Sequence, residues 1–491
     1  MAGIGIRLNR IFEKRSIGAH LVGFGYSTMT TIAPMFLVIG SIMVMQLLLH
    51  YSTVTYFERE LFACTVLYTF IFALLSTSPF NAVLSRYLSD VIYNETYEDI
   101  LPCFYVGLIL NLVLSSLIGI PFCVHEYLVG RVPLYYVLTG YLGYVCLVMV
   151  FYAMLYLSIC KDYGRVSMFF LYGALLAVVL SLVLVYLFHW EKTYSMLFSL
   201  TCGFLLTAAL EMAIIRHYFR ENSGRYRPVF QYLGKYWKLI ATNFLYTLGL
   251  YIHNFVFWTT PLRMVLVDTF VCCQPYDMAT CLAMFTNISA SVIFIARTEM
   301  QFHQRYKAYS EAVIGGRGMD IRVSKQRMFR ALAEELMNLL RIQFIITVVV
   351  FLLCEIFLPR FGFGGLVMQI YPALAAGYFV LFLMYSAILY LYYFEDLNGA
   401  LMTALIFCAA TLAGAILGTN LQALFYGIGP LVGALCGWTF AYFRLRWVEK
   451  NMDVHVFCKG RILRKGNGVK PPSKVYSRVP SLERRQSAGR F

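Results

Sequence analysis

The sequence predicts an all-α polytopic membrane protein of twelve transmembrane helices, arranged as two sets of six, with both termini cytoplasmic. Three observations predict it. First, the 491 residues are 60% hydrophobic and only 13% charged, with a mean hydropathy of +0.69, about half the charge of a typical soluble domain. A soluble chain of that length needs a polar shell that this composition cannot supply. A soluble enzyme, a disordered chain and a secreted disulfide scaffold are excluded. Second, twelve apolar runs long enough to cross hydrocarbon fall at about 26–49, 61–85, 101–124, 133–159, 166–189, 194–215, 239–259, 278–296, 342–358, 367–393, 400–417 and 421–443. Third, with the connections numbered alternately from an inside N-terminus, 35 of the 40 Lys and Arg fall inside and 5 outside, a strong positive-inside bias. The net charge of +15 therefore reads as topology and attraction to anionic membrane lipid, not as nucleic-acid binding.

The elements follow in order. Residues 1–25, opening MAGIGIRLNRIFEKRS, read as a basic amphipathic lead-in with Ile4, Leu8 and Ile11 on one face, without the pattern of a signal peptide. A first six-helix lobe occupies 26–218, and Pro34 and Pro79 inside its spans predict kinks. One connection is anomalous: Asp90, Glu95, Glu98 and Asp99 stand there with only Arg86. Acids weigh little in the topology rule, so the orientation survives. A basic cytoplasmic linker, 219–238, carries Glu221-Asn222-Ser223-Gly224 and Pro228, and a second six-helix lobe follows at 239–443. Such six-plus-six layouts are those of parallel-repeat transporters.

Inside the second lobe, the cytoplasmic segment 301–341 places Ile321, Met328, Leu332, Leu336 and Leu340 mostly four apart, with Arg322, Lys325, Arg327 and Arg330 between them. That predicts an amphipathic helix lying at the headgroups, with partner docking as the alternative. Gly414 with Gly418, and Gly429, Gly433 and Gly437, are small-residue stripes for close helix contact. The tail, 444–491, has 13 basic and 3 acidic residues and a Pro471-Pro472 pair, and reads as a disordered cytoplasmic anchor. Thirteen scattered cysteines, without a C-x-x-C pair, read as small apolar residues.

No nucleotide-binding loop, zinc-protease helix, nucleophile elbow or metal-spaced His/Cys cluster occurs. The expectation is a transporter, not an enzyme, with no cofactor and no metal. Polar residues inside spans must face a neighbour or a cavity. In the seventh span Asn243, Thr247, Tyr251, Asn254 and Trp258 step by 4, 4, 3 and 4 along one face, with His253 beside them. They are expected to line a substrate path, ordinary interhelical hydrogen bonding being the alternative. Ser27 and Thr31 of the first span repeat the spacing on a shorter stretch. Glu211 is the most nearly intramembrane acid, a candidate for ion coupling unless it reaches the inner interface.

MAGIGIRLNRIF at the start, GYSTMTTIAP in the first span, YIHNFVFW at 251–258, YDMATCLAMFTNISA at 276–290, RTEMQFHQRYKAY at 297–309, RIQ at 341–343 and LYYFED at 391–396 occur in order. Together they resemble the membrane transporter family of the Pel exopolysaccharide system (PelG-type), over residues 1 to about 443. That family is placed in the flippase superfamily of multidrug antiporters and lipid-linked oligosaccharide flippases. The resemblance implies two six-helix lobes around a central cavity. It also implies export of a partly deacetylated, N-acetylgalactosamine-rich polymer across the bacterial inner membrane for a biofilm matrix. A cytoplasmic glycosyltransferase and other membrane subunits of a synthase complex are the implied partners. Two positions depart from the family pattern: Ala33-Pro34 stands in place of Gly-Pro, and His253 in place of an acid. Two rival readings remain: an ion-coupled multidrug or small-solute antiporter of the same fold, and a membrane-embedded glycosyltransferase or ligase. For the second, Asp277 or Glu126 would be the catalytic acid or base.

Overall fold

The computed structural model describes residues 34–159, 163–266, 269–287, 302–361 and 364–454. The N-terminal lead-in, Ser27, Thr31 and most of the tail lie outside them. Two compact units divide the chain, Met1–Arg446 and Trp447–Phe491. The second is helical over its first residues, to Lys450.

Among its described residues the first unit is helical apart from one hairpin and its connections. Helix α1 is Pro34–Leu48. It is followed by α2 Tyr56–Tyr93, α3 Ile100–Leu128, α4 Leu134–Ile159, α5 Tyr163–Tyr186 and α6 Lys192–Tyr218. A short α7, Arg227–Lys235, leads into α8, Trp237–Phe257. Strands β1 Met264–Leu266 and β2 Phe270–Cys272 pair antiparallel, Met264 opposite Cys272. Then come α9 Gln274–Asn287, α10 His303–Gly315, α11 Gly318–Phe357, α12 Leu366–Tyr393, α13 Leu397–Gly418 and α14, Ile428–Lys450. Among the described residues nine helices are long and apolar enough to cross a membrane: α2 to α6 and α11 to α14. Helix α1 is a shorter apolar one. Helix α8 is long enough, but the polar stripe along it dilutes its apolar character.

In hydrocarbon every backbone group must be satisfied within the protein, and α2 shows how. Pro79 has no N–H to give the Leu75 carbonyl. The hydroxyl of Ser78 donates to that oxygen instead, at 3.2 Å, so α2 runs unbroken for 38 residues. In the first bundle α6 packs against α4 and α5, and α4 against α2 and α3. The α5–α6 crossing is backbone to backbone: a Cβ on Gly203 would lie 2.6 Å from the Gly173 carbonyl oxygen. In the second bundle α13 packs on α8 and α12 on α9. Gly414 meets Gly429 at the α13–α14 crossing, where a Cβ on Gly414 would stand 3.0 Å from the Gly429 Cα.

The acids of the anomalous connection have partners in the linker. Arg225 donates to Glu98 at 2.6 Å and pairs with Asp99 at 3.4 Å. Tyr232 on α7 donates to Asp90 at 2.7 Å. The linker is therefore structured, with Val229 and Leu233 of α7 buried. At this same end Arg86 pairs with Glu395 and lies over the Tyr236 ring, 4.3 Å from its centre. Asp396 caps α13 and receives Arg444 at 2.6 Å and 3.1 Å.

The segment expected to lie among the headgroups does something else. Residues 318–341 form one unbroken helix with the following span, α11, of 40 residues and about 60 Å at 1.5 Å per residue. Met328, Phe329, Leu332 and Leu339 are buried. Helices α10 and α12 pack on α11, and Phe329 stacks on Phe394 at 5.3 Å. An amphipathic pattern requires an apolar partner without saying whether it is lipid or protein. Here it is protein.

The close crossing yields a prediction. Gly203→Leu should force α5 and α6 apart and lower the melting temperature of the detergent-purified protein, at a cost of roughly 1–3 kcal/mol for overpacking. Gly234→Ala, where a Cβ meets open space within α7, should leave it unchanged or raise it slightly, Ala being the better helix former. Equal melting of the two variants would contradict the backbone contact.

Candidate functional site

The polar stripe on α8 is the natural place to start. Its members share one face because the steps of 4, 4, 3 and 4 follow the helical period, and that face turns toward α9 and α12. At one end Asn243 donates to the Tyr392 hydroxyl at 3.3 Å. At the other, beside the hairpin, Asn254 and Trp258 converge on a carboxylate. Asn254 donates to Asp277 Oδ1 at 2.7 Å, and the Trp258 indole N–H lies 3.1 Å from both carboxylate oxygens. The Cys273 backbone N–H supplies a third donor to Oδ2, at 3.0 Å. Asp277 sits in the first turn of α9, where the helix dipole favours negative charge. Such charge-assisted bonds are about twice as strong as neutral ones. They clamp the end of α8 to the start of α9.

His253 lies beside the clamp and is fully enclosed. Its Nδ1 meets the Tyr276 hydroxyl at 2.8 Å, and its Nε2 the Tyr378 hydroxyl at 3.5 Å. Tyr378 also donates to the Leu250 carbonyl at 3.3 Å. One imidazole thus ties α8 to α9 and α12. Between the two ends, Thr247 and Tyr251 carry no hydrogen bond from their hydroxyls to any described residue, and both are buried. Four of the six α8 side chains expected on a substrate path are thus held by protein partners.

The clamp is also where the two bundles meet. Tyr68 of α2 stacks on Trp258, centroids 4.8 Å apart. Its hydroxyl donates to the Val271 carbonyl at 2.5 Å and accepts from the Val271 N–H at 3.2 Å. Gln274 donates to Glu60 of α2 at 3.0 Å, and Thr269 donates to Glu126 of α3. The hairpin of the second bundle is therefore pinned to two helices of the first. The span pattern leaves 260–277 as a connection between two spans and does not show the hairpin, the part played by Tyr68 or the bonds that gather on Asp277. Two short apolar triplets, Met264-Val265-Leu266 and Phe270-Val271-Cys272, each with a central valine, flank the turn, a signal too short to read as strands.

Glu211 lies apart, on α6 in the first bundle. It does not reach an interface: it is 0% exposed, and neither carboxylate oxygen has a hydrogen bond to any described residue. Burial of an unpaired carboxylate is costly, so this group calls for a proton or a cation. Among the described residues no three His, Cys, Asp or Glu side chains cluster to hold a metal.

The profile of the family described as "PelG: Putative exopolysaccharide Exporter (EPS-E)" matches residues 1–457. No curated protein matches the sequence significantly. Solved structures are similar in fold. An inward-facing multidrug resistance MATE family transporter of the MOP superfamily is 13% identical, with a TM-score of 0.59 over 86% of this chain and 96% of that one. The Vibrio cholerae MATE transporter VcmN, in its bent form, is 12% identical, with a TM-score of 0.56 over 92% of this chain and 99% of that one. A MOP superfamily transporter from Pyrococcus furiosus is 14% identical, with a TM-score of 0.57 over 86% and 96%. At such identities the likeness shows the fold. The sequence and the fold together identify a multi-pass membrane protein that belongs to the PelG exopolysaccharide exporter family, built as a MATE-like transporter.

Proposed function

We propose that this chain exports a Pel-like, amino-sugar-containing exopolysaccharide across the bacterial cytoplasmic membrane into a biofilm matrix. The observation that carries the reading is the family match over residues 1–457, on a transporter fold. In this reading α1–α6 span the membrane as the first lobe, within 26–218. Helices α8, α9 and α11–α14 span as the second, within 239–443, with 219–238 as the cytoplasmic linker. Both termini are cytoplasmic, which the 35-to-5 partition of basic residues supports. The hairpin end then faces outward and the Arg86–Glu395 end inward.

The passage runs between the lobes. Asn243, Thr247, Tyr251, His253, Asn254 and Trp258 of α8 would reach it once the contacts that hold four of them to α9 and α12 open, and Ser27 and Thr31 would reach it from the first span. Aromatic faces let sugar rings slide, and amides exchange hydrogen bonds with successive hydroxyls. A polymer needs many weak contacts rather than one tight site. Opening the outer end requires the hairpin to leave Tyr68. A cytoplasmic glycosyltransferase makes the polymer, docking with other membrane subunits on the basic faces of α10 and α11.

One observation favours a second element, ion coupling. Glu211 is an enclosed carboxylate without a hydrogen bond, as a site loaded and unloaded by protons or sodium requires. An enzymatic reading gains less: the Asp277 carboxylate is taken up by Asn254, Trp258 and Cys273.

Three outcomes are expected. Reporter fusions after Tyr276 and after Arg446 should signal outside and inside respectively, and an outside signal from the Arg446 fusion overturns the topology. In cells that make the polymer, Tyr251→Ala should cut secreted polymer only in part, up to about fivefold for a stacking face worth about 1 kcal/mol, with protein abundance unchanged. Full export by that variant returns the stripe to helix packing. Collapsing the proton and sodium gradients at constant nucleotide-sugar supply should stop export by the native chain. Undiminished export would remove gradient coupling, and Glu211 with it.

A further inference from the structure

Between α2, α3 and α4, at the hairpin end, lies a cavity of about 190 Å³. That is about six water volumes at roughly 30 Å³ each, room for one substituted six-membered ring. Its walls are aromatic: Tyr68 from α2, Phe122 from α3, Tyr141 and Tyr144 from α4, and Phe270 from the hairpin. Two of the rings are fixed in place, since the Tyr144 hydroxyl bonds Ser76 at 2.6 Å and the Tyr141 hydroxyl bonds Ser116 at 2.9 Å.

One carboxylate lines this cavity, Glu126. It is 1% exposed. Its Oε2 accepts from the Thr269 hydroxyl, while Oε1 has no hydrogen bond. The ring of His125, largely exposed, brings Nδ1 to 3.5 Å from Oε1. A neutral apolar guest would leave that oxygen without a hydrogen bond, at a cost. An anion would be repelled by it and by the negative faces of the rings. A cation is favoured by both.

We propose that this cavity binds a ring carrying a primary ammonium, with Glu126 as counter-ion and the tyrosine and phenylalanine rings as stacking faces. The ring is either an amino-sugar unit of a polymer or a free organic amine. The first source rests on the export reading above. The second does not. The cavity is also joined to the hairpin contact: Tyr68 bonds Val271, and Glu126 holds Thr269. A guest that takes a share of Glu126 acts on the same groups that hold the hairpin.

The test is calorimetric binding to the full-length protein in lipid nanodiscs. The probes are a galactosamine tetramer, its fully N-acetylated counterpart and cyclohexylmethylamine. The native protein should bind the free-amine tetramer at least about tenfold tighter than the acetylated one. Glu126→Gln, which keeps an acceptor for Thr269, should abolish that preference, and Glu126→Asp should retain part of it. Tyr141→Ala should weaken both sugars. Unaltered melting temperatures check that the variants are folded. Binding of cyclohexylmethylamine alone, still dependent on Glu126, assigns the site to free amines and keeps the inference. Glu126-dependent amine binding in a chain that fails the export assay likewise keeps the site and removes the exporter. Equal affinity for the two tetramers with no amine binding, or a preference unchanged in Glu126→Gln, overturns it.

Discussion

A carboxylate inside an apolar bundle must be met by donors, and the way each acid of this chain meets that demand organises the molecule. Asp277 is met fully, by Asn254, Trp258 and the Cys273 N–H, and the result is a rigid joint between α8 and α9. Asp396 is met by Arg444 and by the start of α13, and it closes the opposite end of the second bundle. Glu126 is met at one oxygen only, and Glu211 at neither. Satisfied acids build the scaffold, because separating them from their donors leaves a buried charge exposed to a low dielectric. Unsatisfied ones are where an outside partner has something to gain.

The lobes meet at two levels, and each level has its own chemistry. At the hairpin end the contact is aromatic and backbone-directed: Tyr68 lies on Trp258 and holds both polar groups of Val271. At the opposite end it is ionic, Arg86 with Glu395 beneath the Tyr236 ring. Aromatic contacts in a dry environment are insensitive to salt, whereas a half-buried ion pair is screened in part by electrolyte. Salt therefore acts unequally on the two ends.

The spans and their order were legible because apolar length and basic-residue placement are local properties, each readable within a window of twenty residues. Helix contacts at Gly414 and Gly429 were legible for the same reason. What escaped was set by distance along the chain. Glu126 finds Thr269 143 residues away, and Tyr68 finds Val271 203 away; no spacing rule connects such pairs. Strands of three residues are too short for alternation to stand out, and α7 was hidden by the Gly and Pro of its approach. The stripe on α8 was visible as a face, but a face does not name its neighbour. The same ambiguity turned the amphipathic half of α11 toward protein where lipid was expected.

Helix α11 has a mechanical meaning. Its two halves form one continuous helix with no proline inside, and so without a common cause of sharp helix bends. Well inside its apolar half, Gln343 and Thr347 both donate to the Asn287 amide oxygen, at 3.2 Å and 2.9 Å. Asn287 ends the described part of α9, the helix whose first turn holds Asp277. A tilt imposed at the polar end of the rod is thus delivered, by stiffness alone, to the far end of α9. The rod is a crank arm set into the bundle, and the carboxylate clamp is what it turns against.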